Sequence, residues 1–178
     1  MTERTLYIHV ADHTTQFVVA GDEVPRMYEI PLGCVQLTRD ELGSDPPRAE
    51  ELSNAIAMVQ NYMDDVLREL PEVAQCSHAV GLGRTTWILA AVELGVPKSA
   101  PEIEGFRLSR DAAEDVYRTL ATETLDDRRH NPGLPIEHAS AILGGCCIVV
   151  AIMRRLYLHE IALEHADGPV ADMLNGSS

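Results

Sequence analysis

The sequence predicts a single α/β domain, and three stretches carry that expectation. Two short runs rich in β-branched and aromatic residues stand close together near the start, a long helical stripe follows, and a glycine-punctuated junction from strand to helix lies beyond it. At 178 residues, 46% of them hydrophobic, the chain can bury one core, so residues 1–178 read as one domain.

Leu6-Tyr7-Ile8-His9-Val10 and Gln16-Phe17-Val18-Val19-Ala20 flank the polar stretch Asp12-His13-Thr14-Thr15, the pattern of an N-terminal antiparallel hairpin. A third strand is expected through Met27-Tyr28-Glu29-Ile30, ahead of Pro31. From Pro46 to Leu70, apolar residues fall at Leu52, Ala55, Ile56, Val59, Met63, Val66, Leu67 and Leu70, one stripe of an amphipathic helix. Ser77 to Val80 predicts a strand, Gly81-Leu82-Gly83-Arg84-Thr85-Thr86 a glycine loop, and Trp87 to Leu94 a helix closed by Gly95. Ser109 caps a helix carrying Ala113, Val116, Tyr117 and Leu120, with Asp111 and Glu114 toward its positive end. After Asn131-Pro132-Gly133 comes a nearly all-apolar helix, Ile136 to Leu156, which must be buried. Glu160 to Glu164 reads as a last strand, Val170 to Leu174 as a short helix, and residues 175–178 as a frayed tail.

Charge and composition narrow the function classes. Fourteen basic against twenty-eight acidic residues give a net charge of −14, which repels nucleic acid and long polyphosphate chains unless a local basic patch or a partner intervenes. The longest uncharged stretch, Ala139 to Met153, is shorter than a membrane span of about 20 residues and ends at Arg154 and Arg155. Neither nucleic acid nor membrane is an expected partner. The first residues have no apolar signal region, so a cytoplasmic location is expected. Cys146 and Cys147 are adjacent and cannot form an ordinary bridge, and Cys34 and Cys76 lack zinc spacing; reduced thiols and no metal site follow. His159 and His165 are six apart on an expected strand, which is not the geometry of a zinc helix. His130 and His138 read as surface or helix-start residues.

Two motifs carry candidate chemistry. Glycines at a strand-to-helix turn let backbone N–H groups and the helix dipole face an anion, and Arg84, Thr85 and Thr86 can add donors, so Gly81 to Thr86 is either a phosphate loop or simply a tight turn. The hairpin turn Ala11 to Thr15 brings one carboxylate, one imidazole and two hydroxyls together, and is either a site or a solvated turn.

Several segments together resemble the C-terminal half of the exopolyphosphatase/guanosine pentaphosphate phosphatase (Ppx/GppA) family. They are Thr14 to Val19, Pro31-Leu32-Gly33-Cys34-Val35-Gln36-Leu37-Thr38, Ser44-Asp45-Pro46-Pro47, the Gly81 loop leading to Leu89-Ala90-Ala91, and Pro132-Gly133-Leu134 through Ala141-Ile142-Leu143-Gly144-Gly145. The likeness runs from about Tyr7 to about Gly168. It implies an actin-like, ribonuclease-H-like domain: a mixed sheet with the hairpin at its start, packed by helices. In that family the hairpin typically reads Asp-x-Gly-Gly-Gly-Ser-Thr-Glu, a backbone cradle for phosphate beside an acid. Here the acids are matched by His9 and Gln16, the glycines by Ala11, Asp12 and His13, and the hydroxyls by Thr14 and Thr15. Arg84 stands where the family has a glycine before the threonine, and His138-Ala139-Ser140 where it has Arg-Ala-Asp.

The resemblance therefore implies a domain that matches the family's second half, with its phosphate motifs altered, and that binds a phosphorylated small molecule or a protein partner without cutting. Phosphate contacts are expected from Gly81, Gly83, Arg84, Thr85 and Thr86, with Thr14 and Thr15 from the hairpin. No cofactor is required for binding. The alternative is a phosphohydrolase completed by a second copy of the chain or by a separate first domain, with Asp12 or His13 orienting water and Mg2+ as a candidate helper. Under either reading, a homodimer or protein partner is expected at the face that a first domain would cover.

Overall fold

The computed structural model describes residues 3–165. Strict alternation along Thr5–Val10 (β1) buries Leu6, Ile8 and Val10, and Thr15–Ala20 (β2) buries Phe17 and Val19 on the same side. The two strands pair antiparallel with Leu6 opposite Val19, and Arg26–Ile30 (β3) adds antiparallel to β2. The hairpin and third strand stand as expected. His78–Leu82 (β4) and Glu160–Glu164 (β6) lie parallel beside β1 and β4 in turn, and Arg107–Ser109 (β5) closes the edge antiparallel to β6. The result is a mixed six-stranded sheet in the order β3-β2-β1-β4-β6-β5.

The helices are Cys34–Glu41 (α1), Ala49–Glu69 (α2), Gly83–Leu94 (α3), Arg110–Thr122 (α4), Leu125–Arg128 (α5) and Ile142–Arg155 (α6). One face of the sheet joins the helices in a single core that includes Leu6, Ile8, Phe17, Met63, Leu89, Leu120 and Ile161. On the other face, Val80 and Leu82 form a small separate cluster with Tyr7 and Ala162. Helix α6 packs against α1, α2 and α4, and every residue from Ile142 to Met153 is buried. Among the described residues no helix is long and apolar enough to cross a membrane.

Three expectations about local structure change. The glycine loop does not exist as a loop: β4 runs through Gly81 and Leu82, and α3 starts at once on Gly83. The apolar helix starts at Ile142; Ile136–His138 is a 3-10 turn and Ala139, fully buried, precedes the helix. Apolarity there reports burial, not helical geometry. The stripe helix starts at Ala49, after a bend through Pro46; Arg48 is extended at its start, and its N–H donates to Glu51 at 2.7 Å. Helix α1 and the three-residue β5 carried no signal long enough to read. The expected helix at Val170 to Leu174 lies outside the described residues.

The ends of α3 and α4 follow local chemistry. Gly95 closes α3 at φ +65°, and the Ser109 hydroxyl accepts the Ala112 N–H at 3.1 Å at the start of α4.

Candidate functional site

Parallel pairing sets His9 opposite Leu82, so the hairpin turn after β1 and the first turn of α3 emerge at the same edge of the sheet. Open α/β sheets bind ligands at such carboxyl ends, where the strand connections diverge. The turn itself is closed by the Ala11 N–H on the Thr14 carbonyl at 2.9 Å.

The turn docks on the start of α1. The Cys34 N–H donates to the Ala11 carbonyl at 3.0 Å, and the Val35 and Gln36 N–H groups donate to the Asp12 carbonyl at 3.0 and 3.4 Å. Backbone carbonyls thus occupy amides that a helix start otherwise leaves free for an anion. Gly33 permits the approach: a Cβ there would sit under 3.0 Å from both Asp12 C and His13 N.

Arg84, in the first turn of α3, reaches across and bonds the Asp12 carboxylate through its Nη2. The Cys34 thiol donates to the same Asp12 Oδ1 at 3.6 Å. Asp12, Cys34, Arg84, His138, Glu137 and Ser140 line one cavity of about 220 Å³. Burial, and then the Asp12 charge, push the Cys34 thiol above its ordinary range. Burial and the Arg84 cation hold His138 below the usual histidine value, so at pH 7 it stands neutral beside the guanidinium. At the rim, Lys98 lies 3.9 Å from Glu137. A second hollow of about 310 Å³ adjoins this one, lined by Gly83, Arg84, Trp87, Ile88 and Lys98, with the Trp87 and His165 rings 4.3 Å apart. A further hollow of about 670 Å³ on the open face of the sheet, around Tyr7, Val80 and Tyr157, contains none of the expected site residues.

Placement divides the expected residues sharply. Arg84 and Asp12 meet in the cavity. Thr85 lines it too, but its hydroxyl donates to the Val10 carbonyl at 2.9 Å. Thr86 is fully buried and its hydroxyl turns back on Leu82 and Gly83, while fully buried Thr15 donates to the Leu32 carbonyl at 2.7 Å. These three threonines fasten the turn and helix; their hydroxyl protons are already committed to backbone. Gly81 lies inside β4, packed against Ile161 and Thr86, and offers no loop amide. Gly83 has φ +78°, and its bare Cα accepts the His9 ring, which a side chain there would strike. His13 is exposed and does not line the cavity, and Thr14 contributes its carbonyl to the turn.

His9 and Gln16, which stand where the resemblance places acids, face each other with Nδ1 and Oε1 3.4 Å apart, and Gln16 donates onward to Glu29 at 2.7 Å. His138, expected as a surface or helix-start residue, stands in a 3-10 turn ahead of α6 and lines the cavity. Its signal was present: it opens the segment matched to Arg-Ala-Asp. Glu137 carried no signal, and Cys34 stood in a matched segment with no site role expected of it. Among the described residues no group of three His, Cys, Asp or Glu side chains is placed to hold a metal ion.

Residues 1–170 match the family model described as the Ppx/GppA phosphatase family. The chain belongs to that family. Curated relatives include Exopolyphosphatase 2 of Mycobacterium tuberculosis, 29% identical over 166 residues that make 92% of this chain and 51% of that protein. Exopolyphosphatase 1 of Mycobacterium leprae is 26% identical over 145 residues, 79% of this chain and 42% of that one. The chain spans about half the length of the curated relatives it matches, consistent with the second-half likeness in the motifs. Among solved structures, an exopolyphosphatase-like protein aligns over 93% of this chain and 56% of its own, with TM-score 0.86 at 18% identity. A Ppx/GppA family member of Aquifex aeolicus aligns over 93% and 53% with TM-score 0.79 at 20% identity. The sheet and its helices are therefore the actin-like architecture of Ppx/GppA proteins.

Proposed function

We propose that this Ppx/GppA domain binds a phosphate-bearing ligand in the cavity between the hairpin turn and α3, and that by itself it does not hydrolyse it. One observation carries the reading: the Asp12 carboxylate and the carbonyls of Ala11 and Asp12 already engage the donors of this site, Arg84 and the first amides of α1. A carboxylate paired to a guanidinium is a poor general base, because the cation stabilises its charged form. Arg84 remains the natural phosphate partner, since its planar fork takes two oxygens at once, and neutral His138 lies in the same cavity.

Relatives named exopolyphosphatases are about twice as long, so their whole activity does not transfer to a chain matching half of them. The second reading, a phosphohydrolase completed by another copy or by a separate first domain, is favoured by one feature: Asp12 faces the cavity that holds Arg84. In that case Asp12 orients water and Mg2+ is its candidate helper. Purified protein incubated with polyphosphate, guanosine pentaphosphate and simple phosphate esters, with Mg2+, separates the two. The proposal expects no phosphate release above buffer; release lost in Asp12→Ala or Arg84→Ala establishes the second reading. Sedimentation of the same sample reports whether a homodimer is available to complete the cleft.

A further inference from the structure

Asp12 stands where an anion has to go. Its backbone is fixed, because the carbonyl is held by the Val35 and Gln36 N–H groups and the turn lies against Gly33 without room for a Cβ. Its side chain is not fixed in the same way: Asp12 and Arg84 each keep 45% of their side-chain surface exposed, and such half-solvated pairs are weak. Of the two carboxylates in the cavity lining, Glu137 lies 3.9 Å from Lys98 at the rim and Asp12 pairs with Arg84, with His138 held toward its neutral form. With Asp12 in place the Arg84 cation is offset and the cavity offers an anion no net positive charge, in a chain that is already strongly acidic.

We propose that Asp12 is a resident competitor that sets the ligand class of this site. It yields Arg84 only to an anion whose charge and paired oxygens exceed those of one carboxylate, such as a phosphate dianion, and it turns away monoanions. The carboxylate swings toward solvent as the ligand arrives, and no bond is made or broken. A phosphate dianion presents two oxygens to the guanidinium fork, whereas Asp12 offers one oxygen in a single contact. The inference rests on the anion-binding reading above and assigns its selectivity to one side chain.

The test titrates wild type, Asp12→Asn and Asp12→Ala with sulfate and with acetate at pH 8, by calorimetry or thermal shift. Removing the carboxylate is expected to tighten sulfate by about tenfold or more, the scale of one unit charge a few ångströms away in a partly solvated site. It is also expected to let acetate bind where wild type does not, and Arg84→Ala added to Asp12→Asn abolishes both effects. A melting temperature in Asp12→Asn and Asp12→Ala within about 3 °C of wild type reports that the turn stays in place on α1. Equal or weaker sulfate binding in both variants, with binding intact in wild type, overturns the competitor alone, as does acetate binding wild type as tightly as sulfate. No binding of sulfate or phosphate by any form, with the melting temperatures of both variants close to wild type, overturns the anion site and the competitor together.

Discussion

Gly33→Ala probes the joint between hairpin and helix on which the site depends. The added Cβ would lie under 3.0 Å from Asp12 C and His13 N, where ordinary contact is 3.4–4 Å, and both neighbours are backbone rather than flexible side chain. Either the turn or α1 must withdraw, which loosens the Cys34 N–H to Ala11 and Val35 N–H to Asp12 bonds, both 3.0 Å long. Overpacking of about 1–3 kcal/mol and two hydrogen bonds at about 1 kcal/mol each put the loss near 3–4 kcal/mol after partial relaxation. For a domain of this size that lowers Tm by roughly 6–16 °C. Gly43→Ala is the control, because its Cβ meets only Glu51 Oε1 at an ordinary 3.6 Å; its Tm should stay within about 3 °C of wild type. Thermal melts by circular dichroism, with urea unfolding to give ΔG, decide the matter. If Gly33→Ala melts like Gly43→Ala, the close approach of turn and helix is not what holds this end of the sheet.

Three further outcomes follow from the charges and thiols. His138 titrates below the ordinary histidine value because of burial and Arg84, so it takes up a proton more readily once an anion neutralises the cavity; sulfate binding should tighten as pH falls from 8 to 6 and lose that slope in His138→Asn. In the free protein the sign is opposite: as pH drops through the unfolded value near 6.5, the unfolded chain binds the proton first and His138 subtracts stability. Glu114 is held below the usual carboxylate range chiefly by Arg154, which bonds it at 2.6 and 2.7 Å. Glu114→Gln should cost up to about 1 kcal/mol in urea unfolding at pH 7, a difference present above the unfolded pKa near 4.3 and fading as pH falls through the lower folded value. Burial raises the Cys147 thiol to about 12 and Cys146 higher still, so both should resist iodoacetamide at pH 8 until the protein is unfolded, while Cys34 and Cys76 react first.

Legibility in the sequence followed periodicity. The alternation in β1 and β2, the stripe of α2 and the capping Ser109 each repeat a local signal over enough residues to be read before folding. Helix α1 was not legible, because its eight residues bury only Cys34 and Leu37 and its start is capped by carbonyls from a turn more than 20 residues away. The site was half legible for the same reason. Arg84 and Asp12 stood out in their motifs, but nothing in the sequence says that they bond each other across 72 positions. The threonines misled in the opposite direction: hydroxyl-rich segments suit phosphate and suit backbone fastening equally, and only the positions of the Val10, Leu32 and Leu82 carbonyls decide which. The cavity role of His138 was not legible because its segment is a 3-10 turn folded over the cavity, where an uninterrupted helix was expected.

The central claim is that this Ppx/GppA domain holds a phosphate group at Arg84 without cutting it. Calorimetric titration with inorganic phosphate, run beside a phosphate-release assay on the same preparation, tests it most directly. The account predicts saturable binding that disappears in Arg84→Ala, with no release from polyphosphate, guanosine pentaphosphate or phosphate esters. Release by wild type that Asp12→Ala or Arg84→Ala abolishes contradicts it, as does phosphate binding that survives Arg84→Ala unchanged.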